Sequence, residues 1–248
     1  MSHQFRMDGR RALVTGAAQG IGRAIALAFH EAGAQVLAHD RGAETLRAMA
    51  EAHPGMVSIV ADLAQPGSAD ALVSESRAGG VVDILVLCAS VQVRQPWQQG
   101  LAAPAELELA VNFQATRALL HGVAGGMGEQ GWGRILAIGS IQERAPRADM
   151  IVYAALKAAQ SNMILNLARE LGPSGVTCNV LSPGVIETGR NSAALADPAY
   201  RDKILAGIPA RRLGSPQDCV GPALMLCSEA GSYITGQTLI VDGGMLLQ

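Results

Sequence analysis

Hydrophobic positions along the chain fall into short runs that alternate with longer stretches of helical period. Short, mainly apolar runs lie at Arg11–Thr15, Gln35–His39, Met56–Val60, Val82–Cys88, Gly133–Ile138, Gly175–Leu181 and Gln237–Val241, and from Ile84 to Cys88 every successive position is apolar. Runs of this kind suit parallel strands buried on both faces. Between them, residues 20–32, 67–78, 104–127, 151–171 and 216–228 read as helices. Strand and helix alternate over the whole length, which predicts an α/β fold, a Rossmann-type doubly wound parallel sheet, built as a single domain over residues 1–248. Residues 187–212 are polar and irregular in pattern, broken at Pro198 and Pro209, and are expected to form a mobile lid over a substrate.

Composition sharpens this picture. The 248 residues are 49% hydrophobic but only 3% aromatic, so the core must be built from Ala, Val, Leu and Ile. A net charge of −2 leaves no footprint for nucleic acid or anionic lipid. Cys88, Cys178, Cys219 and Cys227 show no CxxC spacing, so no metal site is expected. The N-terminus has no apolar signal region and no run approaches a membrane span, so a soluble, cytoplasmic protein is expected.

The first strand runs into Gly16-Ala-Ala-Gln19-Gly20-Ile21-Gly22 and then into a helix. Strand, glycine turn and helix start are the context of a phosphate-binding loop, in which glycines admit the pyrophosphate and the helix N-terminus supplies N–H groups. Asp40 ends the second strand about twenty residues on, where a carboxylate can bind both adenosine ribose hydroxyls and repel a 2′-phosphate. NAD is therefore the expected cofactor, with NADP not excluded because Arg41 stands next door; an ordinary loop role for Asp40 is the alternative. Asp62, after the third strand, could meet the adenine amino group or serve as a turn cap. Asn112, a polar amide in an apolar helix, is either a satisfied core group or part of a site.

Tyr153 and Lys157 lie four apart on a predicted helix and so share a face. A free tyrosine, with a pKa of about 10, is a poor base, and an adjacent ammonium favours its ionised form. Ser140 ends the fifth strand, far enough back for its hydroxyl to return beside the phenol.

Thr15-Gly16-x-x-x-Gly20-Ile21-Gly22, Asp62, Asn112, Ser140, Tyr153-x-x-x-Lys157 and Pro183-Gly184 together resemble the short-chain dehydrogenases/reductases, from about residue 8 to 248. The resemblance implies an NAD(P)-dependent oxidoreductase for a secondary alcohol or ketone. It implies that Tyr153 exchanges a proton with the substrate oxygen and Ser140 orients that oxygen. Lys157 would bind nicotinamide ribose hydroxyls and lower the tyrosine pKa, and Asn112 would hold a relay water. Gln19, Ile21, Leu63, Ala89, Pro183, Gly184 and Thr188 complete the implied cofactor contacts, with Thr188 on the carboxamide side. A homotetramer built through the 104–127 and 151–171 helices is also implied.

Two stretches bear on cofactor and substrate. Where the family has Asn-Asn-Ala-Gly after the fourth strand, this chain has Leu87-Cys88-Ala89-Ser90, whose Leu87 and Cys88 side chains cannot make the asparagine hydrogen bonds. Gln92-Val93-Arg94 is similar to the loop of the gluconate 5-dehydrogenase group, and Arg94 could grip a substrate carboxylate, or else serve a surface or subunit salt bridge. The expected substrate is thus a small molecule, a sugar acid or polyol. The alternatives are a 3-oxoacyl-thioester reductase and a non-catalytic dinucleotide sensor.

Overall fold

A computed structural model describes residues 2–100 and 102–247. Met1, Leu101 and Gln248 of the expected domain lie outside the described residues. The seven strands are β1 (Arg11–Thr15), β2 (Gln35–Asp40), β3 (Val57–Val60), β4 (Ile84–Leu87), β5 (Gly133–Ile138), β6 (Val176–Pro183) and β7 (Thr238–Val241). They form one sheet in the order β3-β2-β1-β4-β5-β6-β7, and every pairing is parallel.

The helices are α1 (Gly20–Glu31), α2 (Ala43–Ala52), α3 (Ser68–Arg77), α4 (Ala102–Leu109), α5 (Ala115–Glu129), α6 (Ile151–Leu171), α7 (Gly189–Leu195), α8 (Pro198–Ala206) and α9 (Val220–Cys227). Successive strand residues point to opposite faces, and the core divides accordingly. Val14, Ile84, Val86, Leu136 and Ile138 pack with Phe29 of α1, Leu46 of α2 and Ala223 of α9. Leu13, Leu85, Leu87, Ile135 and Ala137 pack on the other face with Leu72 of α3, Val123 of α5 and Ile164 of α6. Small side chains let helices lie close: a Cβ on Gly122 of α5 would stand 2.6 Å from Val73 Cγ1 of α3. Each large aliphatic side chain fully buried this way contributes about 1.5–3 kcal/mol.

Two sequence expectations change. The stretch read as one helix over 104–127 is interrupted by a wide π turn at Ala110–Gln114, which carries Asn112. The segment read as irregular over 187–212 contains α7 and α8, whose Leu195 and Ile204 form a small core with Ile208 and with Leu213 just beyond the segment. Pro198 opens α8 rather than breaking it, because a missing N–H costs nothing in a first turn, and the Asp197 carboxylate accepts from Ala199 N at 3.0 Å.

Strand order reverses direction between β1 and β4, and loops leaving these neighbours diverge to opposite faces. The crevice that opens beyond their C-terminal ends is where such sheets bind ligands. No described helix is long and apolar enough to cross a membrane.

Candidate active site

A cleft of about 1650 Å³, counted with its open mouth, lies at this reversal. Its floor is the turn from β1 into α1. Gly16 has φ +71° and Gly20 φ +56°, both in the left-handed region that a side chain disfavours. A Cβ on Gly16 would stand 2.9 Å from Ala89 N, and one on Gly22 2.1 Å from Gly16 O, so the backbone here tolerates no side chain. Gln19 precedes α1 without capping it through its side chain, leaving the first helical N–H groups free for an anion. Asp40 is held rigidly beside this turn, Oδ2 accepting from Ala18 N at 3.1 Å and Oδ1 from Gly42 N at 3.0 Å. The cradle, free helix end and fixed acid fit a dinucleotide. Gln19, Ile21, Leu63, Ala89, Pro183, Gly184 and Thr188 all line the same cleft. Asp62 lines it too while capping its own turn through Ala64 N at 3.0 Å.

The altered Leu87-Cys88-Ala89-Ser90 segment keeps its place through backbone groups. The Thr15 hydroxyl accepts from Cys88 N at 3.0 Å and Ala89 N at 3.1 Å and donates to Val86 O at 3.2 Å. One side chain thus ties β1 to β4 where the missing asparagines leave no bond. Ser90 O accepts from Arg190 Nη2 of α7 at 2.7 Å. The four cysteines are free thiols, and only Cys88 reaches the cleft, where burial pushes its thiol up.

At the far end Ser140, Tyr153 and Lys157 meet. Ser140 follows β5 and caps the turn after it, accepting from Gln142 N at 3.2 Å, while Glu143 accepts from Ser140 N at 2.7 Å and from Ser182 Oγ at 3.0 Å. The Ser140 hydroxyl and the Tyr153 phenol line the same part of the cleft, and the serine acts to lower the phenol's pKa. Tyr153 and Lys157 share one face of α6, the ammonium 5.9 Å from the ring centre. Lys157 Nζ donates to Ile138 O at 2.7 Å and to Gln160 Oε1 at 3.0 Å.

The electrostatics differ from the simple expectation of a phenol lowered by its lysine. Burial raises the Tyr153 pKa above 10, and the opposition comes from Arg190 and Ser140. Burial also lowers Lys157 to about 8, helped by the nearby Arg190 charge. Desolvation is the largest influence on both buried groups.

Asn112 is the one expected catalytic residue outside the cleft lining. It is fully buried beneath it, Nδ2 donating to Val91 O and Oδ1 accepting from Val91 N, both at 2.8 Å. The π turn points this side-chain amide into the wall, where it closes a two-point clamp on the backbone. Glu108, one turn earlier, accepts from Val93 N at 2.7 Å, and burial raises its carboxyl. Both thereby hold the loop bearing Gln92 and Arg94, which do line the cleft. Arg147, Arg190 and Tyr200 line it as well and carry no motif that sequence reading could single out.

Comparison with known proteins bears on the fold and the family. A family model described as enoyl-(acyl carrier protein) reductase matches residues 16–246. L-xylulose reductase of Bos taurus is 35% identical over 245 residues, covering 98% of each chain. A 3-oxoacyl-(acyl-carrier-protein) reductase of Agrobacterium tumefaciens C58, solved with NADP bound, superposes with a TM-score of 0.91 at 35% identity, over 97% of this chain and 95% of that one. A gluconate 5-dehydrogenase of Burkholderia cenocepacia J2315, solved with NADP and tartrate, gives 0.92 at 33% identity over 99% and 98%. Likeness of this degree from end to end, on one sheet topology, makes the chain a member of the short-chain dehydrogenase/reductase family, the NAD(P)-dependent oxidoreductases of secondary alcohols and ketones.

Proposed function

We propose that the protein interconverts a secondary alcohol and a ketone on a sugar acid or polyol, with Tyr153 as the proton carrier. The observation that carries this reading is that Ser140, Tyr153 and Lys157 line one cleft with the glycine turn, the Lys157 ammonium 5.9 Å from the Tyr153 ring centre. A bound nicotinamide supplies the hydride acceptor or donor. Gly16, Gly20 and Gly22 would admit its pyrophosphate, Asp40 the adenosine ribose and Thr188 the carboxamide side. Lys157, already donating to Ile138 O, has a further proton for the nicotinamide ribose. Ser140 orients the substrate oxygen, and Tyr153 takes its proton in oxidation or returns one in reduction. Asn112 acts by position, holding Val91 and so the loop that presents Gln92 and Arg94.

Asp40 favours NAD, since a second negative charge beside a rigid carboxylate is repelled, although solved relatives carry NADP. The 187–212 segment is proposed to act as a lid, hinged outside the small core around α7 and α8. Leu107, Leu109, Ile151 and Leu165 leave apolar surface exposed on α4 and α6 and support assembly of a cytoplasmic homotetramer through this side, which light scattering would test. Arg190, Arg201 and Lys203 are too few and too scattered to single out an acyl-carrier substrate, so the 3-oxoacyl reading stands second.

The deciding experiment titrates the protein with NADH and NADPH by fluorescence and then screens sugar acids, polyols and 3-oxoacyl thioesters by nicotinamide absorbance. Turnover of an acid or polyol is expected. Tight cofactor binding with no turnover of any alcohol or ketone would overturn the reading in favour of a sensor.

A further inference from the structure

Three side chains from separate segments converge in the cleft beyond Tyr153. Arg94 comes from the loop after β4, Arg147 from the segment leading into α6, and Tyr200 from α8. The Tyr200 hydroxyl accepts from Arg94 Nη1 at 3.3 Å and from Arg147 Nη1 at 2.9 Å. Both guanidinium carbons stand near the hydroxyl end of the same ring, 5.9 and 5.7 Å from its centre.

Two like charges gathered on one neutral oxygen are an unfavourable arrangement unless something negative is meant to join them. Asp149 balances one, its Oδ1 lying 3.2 Å from Arg147 Nε. Among the described residues no carboxylate pairs with Arg94, so the cluster carries an uncompensated positive charge. Burial acts to raise the Tyr200 phenol, and the hydrogen bonds and charges of the two arginines outweigh it, leaving it below its ordinary value. The phenolic proton itself has no acceptor among the described residues, so it is free to donate. The neighbouring wall supplies the Gln92 and Gln142 amides, which suit hydroxyl groups.

We propose that Arg94, Arg147 and Tyr200 form a carboxylate clamp at the substrate end of the cleft. Both guanidiniums and the phenolic hydroxyl would bind the acid group of a polyhydroxy acid whose secondary alcohol lies at Tyr153. Arg147 and Tyr200 are then the specificity-determining residues added to Arg94. Because Tyr200 sits on α8, occupation of the clamp ties the 187–212 segment to the fixed wall. The proposal rests on Tyr153 being the proton carrier, which sets the alcohol end of the substrate.

The test pairs binding with turnover. D-gluconate, L-tartrate, the neutral polyol D-glucitol and D-glucitol 6-phosphate are titrated by calorimetry into the cofactor-loaded wild type, Arg147→Gln and Tyr200→Phe, and the same compounds are assayed for oxidation. One of the two carboxylates is expected to bind the wild type at least tenfold more tightly than either glucitol compound. That advantage should shrink about 10- to 100-fold in Arg147→Gln, the range for losing a hydrogen bond to a charged group, and less in Tyr200→Phe. A phosphate preferred over the acids, no carboxylate bound, or an advantage unchanged in both variants would overturn the clamp. Tyr200→Phe keeps the ring and so answers the question even where Arg147→Gln does not fold. Acid binding that depends on Arg147, with no oxidation of any compound, would leave the clamp standing and sink the redox reading. Oxidation without acid preference would do the reverse.

Discussion

The Lys157 ammonium stands 5.9 Å from the centre of the Tyr153 ring, yet its hydrogen bonds go to the Ile138 carbonyl and Gln160 rather than to the phenol. The lysine is therefore braced against β5, the strand that ends beside Ser140, and its charge is held in place near the phenol. Anchoring of this kind keeps the three groups in register at little entropic cost once the helix is packed.

The buried ammonium also fixes a sign for stability. Its pKa falls from 10.5 to about 8 on folding, so between those values the unfolded chain binds more protons than the folded one. Stability from this group therefore rises with pH across that window. Urea denaturation of wild type and Lys157→Met from pH 7 to pH 10 should show the wild type gaining on the variant as pH rises. A gap that stays constant would mean the lysine is not depressed by burial.

Tyr153→Phe should retain NADH fluorescence enhancement and lose about 10²–10⁴-fold in kcat, the usual worth of a positioned proton carrier. A variant with a near wild-type rate would remove the tyrosine from the chemistry.

Because burial holds the phenol above 10, oxidation, which needs the ionised form, should quicken steadily from pH 6 to pH 10, whereas reduction, which needs the protonated form, should stay level through neutrality. The check is kcat/KM measured in both directions. An oxidation rate that declines with rising pH contradicts this account.

Asp40 meets the backbone at Ala18 and Gly42 with both oxygens and so cannot swing away from a 2′-phosphate. Asp40→Ser should shift the ratio of NADPH to NADH affinity by at least about tenfold toward NADPH, about 1.4 kcal/mol. Wild-type protein that already prefers NADPH would refute the role given to this carboxylate.

Gly22→Ala places a methyl group 2.1 Å from Gly16 O, a contact that only backbone movement relieves. The variant should lose about 1–3 kcal/mol of stability, as for other overpacked positions, and bind NADH far more weakly, by thermal denaturation and fluorescence. Unchanged values in both would show the turn to be looser than its geometry.

Periodicity alone made the fold legible: short, mainly apolar runs separated by helical stretches admit little but a covered parallel sheet, and the glycine spacing marks the turn from its first strand into a helix. Gly16, Gly20, Gly22, Ser140, Tyr153 and Lys157 were readable for the same local reason, since each sits at a strand end or at fixed spacing on one helix. Only the tertiary structure decided what depends on distance through space. It turned the Asn112 side chain into the wall through a π turn, gave the 187–212 segment helices, and buried the Tyr153 phenol and the Lys157 ammonium together. It also gathered Arg94, Arg147 and Tyr200 from three loops and helices whose separation in the chain carries no hint of contact. Local order follows from neighbouring residues, whereas desolvation and convergence exist only once distant segments have packed.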